Sequence, residues 1–241
     1  MTVERALSER VVLITGASQG VGRATAAMLV SRGARVGMVS RAAQRLYAAA
    51  REIDSSADRA LAIPGDVGDE VAMASAVEEV VRHFGGLDAI VLNAAIRSHG
   101  PIEHLALADW EAAIRTNLTG AFICTRAAVP ALRARGGGNI IAISSGAGKQ
   151  GYPNMSAYSA SKFGLMGFME SLAGEVRDAG IHCSTICPGS ILTDFGGRGA
   201  AEKASASEAR FIRPDDVAEA IVYLLNQPRR AWTQEMNIWP F

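Results

Sequence analysis

The sequence predicts an α/β protein built as a doubly wound, parallel sheet of about seven strands with helices on both faces. Short runs of continuous apolar residues recur along the chain, segments of helical period lie between them, and glycines follow the helical segments. Runs that are apolar on both alternating faces are typical of parallel strands covered by helices. Such a sheet has right-handed crossovers and a ligand crevice at the carboxyl ends of its strands.

The elements follow in chain order from these patterns. The apolar runs that predict strands are residues 11–14, 36–39, 89–92, 140–143 and 184–186. Apolar residues at helical spacing predict helices within 24–30, 73–84, 118–132, 165–176 and 217–225. The glycines that we expect to end helices are Gly33, Gly85, Gly86, Gly136, Gly137, Gly138 and Gly180. Pro214, followed by two acids, predicts the start of the last helix.

The stretch 190–212 breaks this alternation and is rich in Gly, Ala and Ser. A loop of about 20 residues in a compact domain is usually functional, and we expect this one to be a substrate lid. The rest of the chain shows no linker, so we expect one dinucleotide-binding and catalytic domain over residues 1–241.

Composition and charge exclude several classes of protein. Lys+Arg and Asp+Glu number 24 each, so the formal net charge is 0, and 49% of the 241 residues are hydrophobic. A nucleic-acid binder driven by bulk charge would carry a basic surplus, and a disordered chain would be less hydrophobic. We expect no nucleic-acid partner.

The cysteines and the N-terminal segment bear on compartment. Cys124, Cys183 and Cys187 have no paired spacing and no histidine cluster nearby, so neither a disulfide framework nor a metal site is expected. Residues 1–10 lack the apolar region of a signal peptide, and no apolar run approaches the ~18 residues of a membrane span. We therefore expect a cytoplasmic protein with no membrane partner.

A glycine-rich loop follows the first predicted strand and leads into a helix. Glycines at this position let backbone N–H groups approach a pyrophosphate at the positive end of the helix. The residues that we expect to contact the dinucleotide here are Gly16, Ser18, Gln19, Gly20, Val21 and Gly22.

The end of the second strand predicts which dinucleotide binds. It reads Ser40-Arg41, where an NAD site would place an acid to hold the ribose hydroxyl. A carboxylate would repel a 2′-phosphate, whereas Ser40 can donate a hydrogen bond and Arg41 offers a bidentate fork. The sequence favours NADP(H) as the cofactor.

Tyr158 and Lys162 are four residues apart, hence on one face of a helix beginning near residue 156, and Ser145 ends a predicted strand. Reduction of a ketone needs a hydride at carbon and a proton at oxygen. We expect Tyr158 to be the acid-base group of the reaction, with its pKa lowered by the Lys162 ammonium. Ser145 would stabilise the charge that develops on the substrate oxygen.

With these motifs the chain resembles the short-chain dehydrogenase/reductase family, in its short, NADP-preferring carbonyl reductase branch. The resemblance runs from about residue 10 to residue 225. It implies that Asn117 holds a water linking Lys162 to solvent, and that Tyr158 and Lys162 also contact the cofactor. The further cofactor contacts that it implies are Asp66, Val67, Asn93, Ile191 and Thr193.

The leading hypothesis is an NADP-dependent oxidoreductase acting on a small-molecule carbonyl or alcohol. A narrower alternative is a 3-oxoacyl-(acyl-carrier-protein or CoA) reductase, for which Arg133, Arg135 and Arg177 are the candidate basic residues near the cleft. A non-enzymatic, NADP-binding redox sensor is less favoured, because the catalytic set is complete.

The resemblance also implies self-association as a homodimer or homotetramer. The helix over 118–132 carries Phe122, Ile123, Ala127 and Val129, more apolar surface than one sheet contact requires. The tail residues Trp239 and Phe241 have two readings: they pack at a subunit interface or a neighbour's active site, or they close the edge of the core.

Overall fold

Seven parallel strands form one sheet in the computed structural model, which describes residues 6–195 and 210–241. The strands are β1 Val11–Thr15, β2 Arg35–Ser40, β3 Ala60–Pro64, β4 Ala89–Leu92, β5 Gly138–Ile143, β6 Ile181–Pro188 and β7 Glu235–Ile238. Their order across the sheet is 3-2-1-4-5-6-7, and every neighbouring pair is parallel. The predicted fold class is confirmed.

Seven α-helices of the described residues cover this sheet. They are α1 Gly20–Ser31, α2 Ala43–Ile53, α3 Glu70–Phe84, α4 Leu107–Ile114, α5 Gly120–Ala134, α6 Ser156–Val176 and α7 Pro214–Leu225. A π-helical turn, Arg115–Thr119, joins α4 to α5. In the described parts of the chain, no helix has both the length and the apolar character needed to cross a membrane.

The sheet separates two apolar cores, because successive strand residues point to opposite faces. In β1, Val11 and Leu13 enter the core shared with α3, α5 and α6, whereas Val12 and Ile14 enter the core shared with α1, α2 and α7. All four side chains are at most 1% exposed. This two-sided burial explains why the strand sequences are continuously apolar.

Two strands and one glycine differ from the sequence-based expectation. β3 and β7 are the edges of the sheet: β7 reads Glu-Met-Asn-Ile and has no continuous apolar run, whereas β3 does contain one, residues 60–63, which the sequence-based prediction left out. Gly138 does not end a helix: it begins β5, where a Cβ would lie 2.3 Å from the Asp88 carbonyl oxygen. The other six predicted helix-ending glycines have positive φ.

The strand order reverses beside β1, since the chain passes from β3 at one edge to β4 on the other side of β1. Ligands of doubly wound sheets bind in the crevice at such a switch point, outside the carboxyl ends of the strands. The residues that follow β1, β2, β4, β5 and β6 therefore converge on one edge of the molecule.

Candidate active site

A cavity of about 1360 Å³ opens at this edge. Three predicted site residues do not line it: Gly22, Asp66 and Asn117. The others do, namely Gly16, Ser18, Gln19, Gly20, Val21, Ser40, Arg41, Val67, Asn93, Ser145, Tyr158, Lys162, Ile191 and Thr193. The structure thus brings residues from seven separate segments of the chain to one surface.

The glycine loop is held against β4 by one side chain. Nδ2 of Asn93 donates to the carbonyl oxygens of Thr15 at 2.9 Å and Gly16 at 3.2 Å. Gly16 has a φ of +66°, and a Cβ on Gly22 would lie 2.5 Å from the Gly16 carbonyl oxygen. Side chains at Gly16 and Gly22 would collide with Asn93 and the loop's own backbone, so these two glycines are needed for the tight packing of the loop.

The loop leads directly into α1, whose N-terminal residue has no side-chain cap: Gln19 accepts from Arg45 instead. The first N–H groups of a helix without a cap are suited to an anion such as a pyrophosphate. Ser18 and Ser40 bring the ends of β1 and β2 together, with their Oγ atoms 3.0 Å apart. Val21 is buried beneath the loop.

The predicted 2′-phosphate position lies at the open end of the cavity. Arg41 has a side chain 60% exposed, and its Nη1 lies 4.0 Å from Oδ2 of Asp66. Oδ1 of Asp66 accepts from the Gly68 N–H at 2.9 Å, which shapes the turn before α3. The next residue, Val67, is buried.

Ser145, Tyr158 and Lys162 meet at the centre of the cavity. Ser145 follows β5, and its hydroxyl accepts from the Ala147 N–H at 3.1 Å and is near enough to Tyr158 of α6 to act on the pKa of that phenol. Nζ of Lys162, one turn further along α6, lies 5.7 Å from the centre of the Tyr158 ring and donates to the Ile143 carbonyl oxygen at 2.7 Å. The two α6 side chains are only 6% and 2% exposed.

Burial controls the protonation of this pair. It raises the pKa of Tyr158 to about 12, although the Ser145 hydroxyl and the positive charge of Arg97 act in the opposite direction. Burial also lowers the pKa of Lys162 to about 8. The expected lowering of the Tyr158 pKa by Lys162 is therefore not found, because desolvation of the phenolate outweighs the nearby charges.

Asn117 lies in the π-helical turn and acts on the backbone beside the cavity. Its Oδ1 accepts from the Ile96 N–H at 2.8 Å, and its Nδ2 donates to the Ile96 carbonyl oxygen at 2.9 Å. Nδ2 also lies 3.0 Å from Oγ of Ser161, the residue before Lys162. Asn117 thus joins the loop after β4 to α6.

The described ends of the predicted lid meet above the glycine loop. Ile191 and Ile212 form a parallel bridge, and the methyl carbon of Thr193 would lie 3.5 Å from a Cβ on Gly20. Most of the predicted lid, residues 196–209, lies outside the described residues.

The comparison with known proteins agrees with this geometry. A family model described as short chain dehydrogenase matches residues 10–204. The chain belongs to the short-chain dehydrogenase family. The resemblance predicted from the sequence motifs is confirmed.

Similar proteins of this family have several named activities. A 3-oxoacyl-[acyl-carrier-protein] reductase of Synechocystis is 33% identical, covering 94% of this chain and 93% of its own. A cis-4-hydroxycyclohexanecarboxylate dehydrogenase of Sinomonas cyclohexanicum is 36% identical, with 91% and 90% covered. A metagenomic short-chain oxidoreductase solved in complex with NADP is 34% identical over 98% of both chains, with a TM-score of 0.83.

This short-chain dehydrogenase has a cavity wall that the motifs did not predict. The indole of Trp239, just after β7, packs on two glycines: a Cβ would lie 2.7 Å from the ring at Gly146 and 2.9 Å from it at Gly189. Tyr152 and Phe195 line the same cavity, and the rings of Phe195 and Tyr158 are 6.1 Å apart. Neither reading of the tail anticipated that Trp239 lines the protein's own site.

Arg97 is the second cavity residue of this dehydrogenase that sequence reasoning missed. It follows the loop anchored by Asn117 and lines the cavity. No motif marks it, since a lone arginine after a strand is usually a solvated surface charge.

Proposed function

We propose that this dehydrogenase is an NADP(H)-dependent oxidoreductase that transfers a hydride between the nicotinamide and a carbonyl or secondary alcohol substrate. The observation that carries the proposal is that Ser145 and the buried side chains of Tyr158 and Lys162 line one cavity together with the glycine loop. The NADP complex of the metagenomic relative supports the choice of cofactor.

The residues present fit such a dinucleotide. Gly16 and Gly22 allow the tight loop that leads into α1, and Gly20 begins that helix in the cavity wall, where its first N–H groups suit a pyrophosphate. Ser40 and Arg41 offer donors to a 2′-phosphate. The bound nicotinamide supplies the hydride in reduction and accepts it in oxidation. The remaining proposed contacts are Ser18, Gln19, Val21, Asp66, Val67, Asn93, Tyr158, Lys162, Ile191 and Thr193.

The chain's own residues handle the proton and the charge. In reduction, Tyr158 donates its hydroxyl proton to the substrate oxygen as the hydride reaches the carbonyl carbon, which gives the alcohol and a phenolate. A pKa of about 12 keeps Tyr158 protonated at neutral pH, as an acid must be. Ser145 donates to the substrate oxygen, and the Lys162 ammonium stabilises the phenolate until solvent returns the proton.

Replacing the acid tests this function. Tyr158→Phe removes the donated proton but keeps the ring, so we expect turnover in NADPH oxidation with ketones, 3-oxoacyl thioesters, quinones and sugars to fall by about 100-fold or more. The matched control is Tyr223→Phe, an exposed tyrosine of α7 outside the cavity. Unchanged turnover in Tyr158→Phe would exclude the catalytic assignment.

The choice between NADP and NAD is tested at Arg41. Arg41→Asp replaces a cation beside the proposed 2′-phosphate by an anion, so NADPH binding should weaken at least tenfold more than NADH binding. Arg51→Asp makes the same charge change on α2, outside the cavity. Equal effects of Arg41→Asp on the two cofactors would contradict the assignment.

The 3-oxoacyl-carrier alternative is supported by the Synechocystis relative but not by the predicted basic residues. Arg133 ends α5, Arg177 follows α6, and Arg135 pairs with Asp88 at the amino end of β4. All three lie at the opposite edge of the sheet from the cavity. They cannot present a carrier protein to the site, and the small-molecule reading is preferred.

We also propose that the protein self-associates through α5 and α6. Phe122 on α5 and Phe163 on α6 are 43% and 47% exposed. Ile123, which the sequence places on the same apolar surface, instead packs into the core. Phe122 stands edge-on to Phe168 of α6, so aromatic rings of two helices form one patch.

A further inference from the structure

Arg97 projects from the loop after β4 into the wall of the cavity. Its Nε is fully buried and has no hydrogen-bond partner among residues 6–195 and 210–241, and its Nη2 has a weak contact with Sδ of Met155 at 4.0 Å. Four buried side-chain polar atoms of the described residues lack a partner, and three of them are hydroxyl oxygens. Only Arg97 among these four residues is charged.

Other arginines of the cavity wall are engaged by the protein itself. Arg23 pairs with Glu52, Arg45 donates to Gln19, and Arg41 lies 4.0 Å from Asp66. Within the described residues, no carboxylate oxygen lies within 4.0 Å of the Arg97 guanidinium. Arg97 as a whole is only partly buried, but its Nε is fully buried, and a buried donor without a partner requires an explanation.

The position of Arg97 is fixed by its neighbour. Both the N–H and the carbonyl oxygen of Ile96 are hydrogen-bonded to the Asn117 amide, within 2.9 Å. A guanidinium on a backbone held in this way is preorganised for a ligand, because less freedom is lost on binding. Its planar set of donors matches the two oxygens of a carboxylate.

Arg97 also lies close to the reacting centre. Its charge acts on the Tyr158 phenol, and Met155, its contact, precedes the first turn of α6. The other walls near Tyr158 are aromatic, formed by Trp239, Tyr152 and Phe195. Beyond Lys162, the site therefore combines the Arg97 cation with apolar surface near Tyr158.

We propose that Arg97 binds a carboxylate of the substrate, so that this enzyme acts on compact oxo or hydroxy acids in preference to neutral ketones and alcohols. The proposal rests on the oxidoreductase function proposed above and names its substrate class. The substrate carbonyl would lie at Ser145 and Tyr158, its carboxylate at Arg97, and its carbon skeleton against the aromatic wall.

Matched acid and neutral probes test this preference. We would measure NADPH-dependent reduction of 4-oxocyclohexanecarboxylate and of its methyl ester, and titrate the protein saturated with NADP⁺ with cyclohexanecarboxylate and cyclohexanecarboxamide by calorimetry. The variants are Arg97→Gln, Arg97→Lys and, as a control, Arg82→Gln, which removes a charge from the exposed face of α3.

We expect the native protein and Arg82→Gln to favour the acids. In Arg97→Gln the ratio of kcat/KM for acid over ester, and the ratio of affinities in the titration, should fall by about 10- to 100-fold. Both ratios for Arg97→Lys should lie between those of the native protein and Arg97→Gln, because lysine keeps the positive charge but loses the paired donors of the guanidinium. The melting temperature of Arg97→Gln should not decrease, since no partner in the described protein loses a bond.

Equal affinity for the acid and the amide in the native protein would overturn the proposal. So would an Arg97→Gln variant in which the affinities for the acid and the amide decrease by the same factor. The absence of any reduction would contradict the proposed function instead, and the titration would still decide the role of Arg97. A 3-oxoacyl-CoA reduced more efficiently than the free acid, with the same dependence on Arg97, would overturn the assignment to a carboxylate.

Discussion

The side chain of Lys162 carries a positive charge in a buried position, where desolvation disfavours the charge. Its ammonium is buried and donates to the Ile143 carbonyl oxygen, and burial lowers its pKa to about 8. The ordinary pKa of lysine is about 10.4, so the folded protein binds this proton more weakly than the unfolded chain does. The chemistry proposed for the site needs the charge that the fold resists.

Lys162→Met should therefore stabilise the protein while removing activity. A pKa difference of about 2 units means that the buried charge costs the folded state about 3 kcal/mol, which the substitution removes. The substitution also loses the hydrogen bond to Ile143, which stabilises the protein by about 1 kcal/mol, so the free energy of unfolding at pH 7 should rise by about 2 kcal/mol. Because the folded pKa is the lower one, the native protein gains stability as pH rises from about 8 to 10.4, and the variant should lack this gain.

Urea unfolding at pH 7 and pH 10 measures this difference. Lys149→Met is the matched control, since Lys149 is exposed and paired with Glu235. A Lys162→Met variant less stable than the native protein at pH 7 would show that the buried ammonium contributes net stability.

Sequence reasoning located the motif residues of the site but not their protonation. Ser145, Tyr158 and Lys162 were placed together because parallel strands end at one edge and residues four apart share a helix face. The raised pKa of Tyr158 and the pairing of Lys162 with a backbone carbonyl depend on burial. Burial is set by packing between distant segments, which spacing along the chain does not encode.

Among the secondary-structure elements, the central strands were predictable and the edge strand β7 was not. β1, β4 and β5 are buried on both faces and contain continuous apolar runs, whereas β7 reads Glu-Met-Asn-Ile and is only partly buried. An edge strand needs one neighbour and one partly covered face, so its composition overlaps with that of a loop. The segment that carries Trp239 to the cavity was missed for this reason.

The tail after β7 should influence substrate binding more than turnover. Trp239 is 53% exposed and covers Gly146 and Gly189 beside the reacting groups, but it does not bond to Tyr158 or Lys162 in the described structure. Trp239→Ala should raise KM about 5- to 10-fold with kcat changed less than twofold, the pattern of lost uniform binding.

Steady-state kinetics on the best substrate of the panel, together with Phe241→Ala, checks this prediction. Phe241 is a fully exposed aromatic residue two positions further along, so its removal should leave KM unchanged. A large decrease in kcat for Trp239→Ala with unchanged KM would show that the tail acts on the chemical step.

At the scale of the whole molecule, the proposed active site lies where the two halves of the sheet, β1 to β3 and β4 to β7, meet. The reversal of strand order beside β1 opens the crevice, the glycine loop lies on one side of it, and the Ser145, Tyr158 and Lys162 group lies on the other. The two apolar cores hold this edge rigid from both faces of the sheet. α5 and α6 carry the π-helical turn and Tyr158 at one end and the exposed aromatic patch along their length, so a subunit contact there would brace the site.

The double variant Phe122→Glu, Phe163→Glu should therefore dissociate the protein into monomers. Burial of each half-exposed ring contributes about 1 kcal/mol, and a two-fold contact buries four of them, so the dissociation constant should rise about 1000-fold. Light scattering at micromolar concentration measures the mass of the native protein, the variant and the control Tyr47→Glu, which places the same charge on an equally exposed aromatic residue of α2. We expect a dimer or tetramer for the native protein and for Tyr47→Glu. A monomeric native protein, or a variant that stays associated, would contradict assembly through α5 and α6.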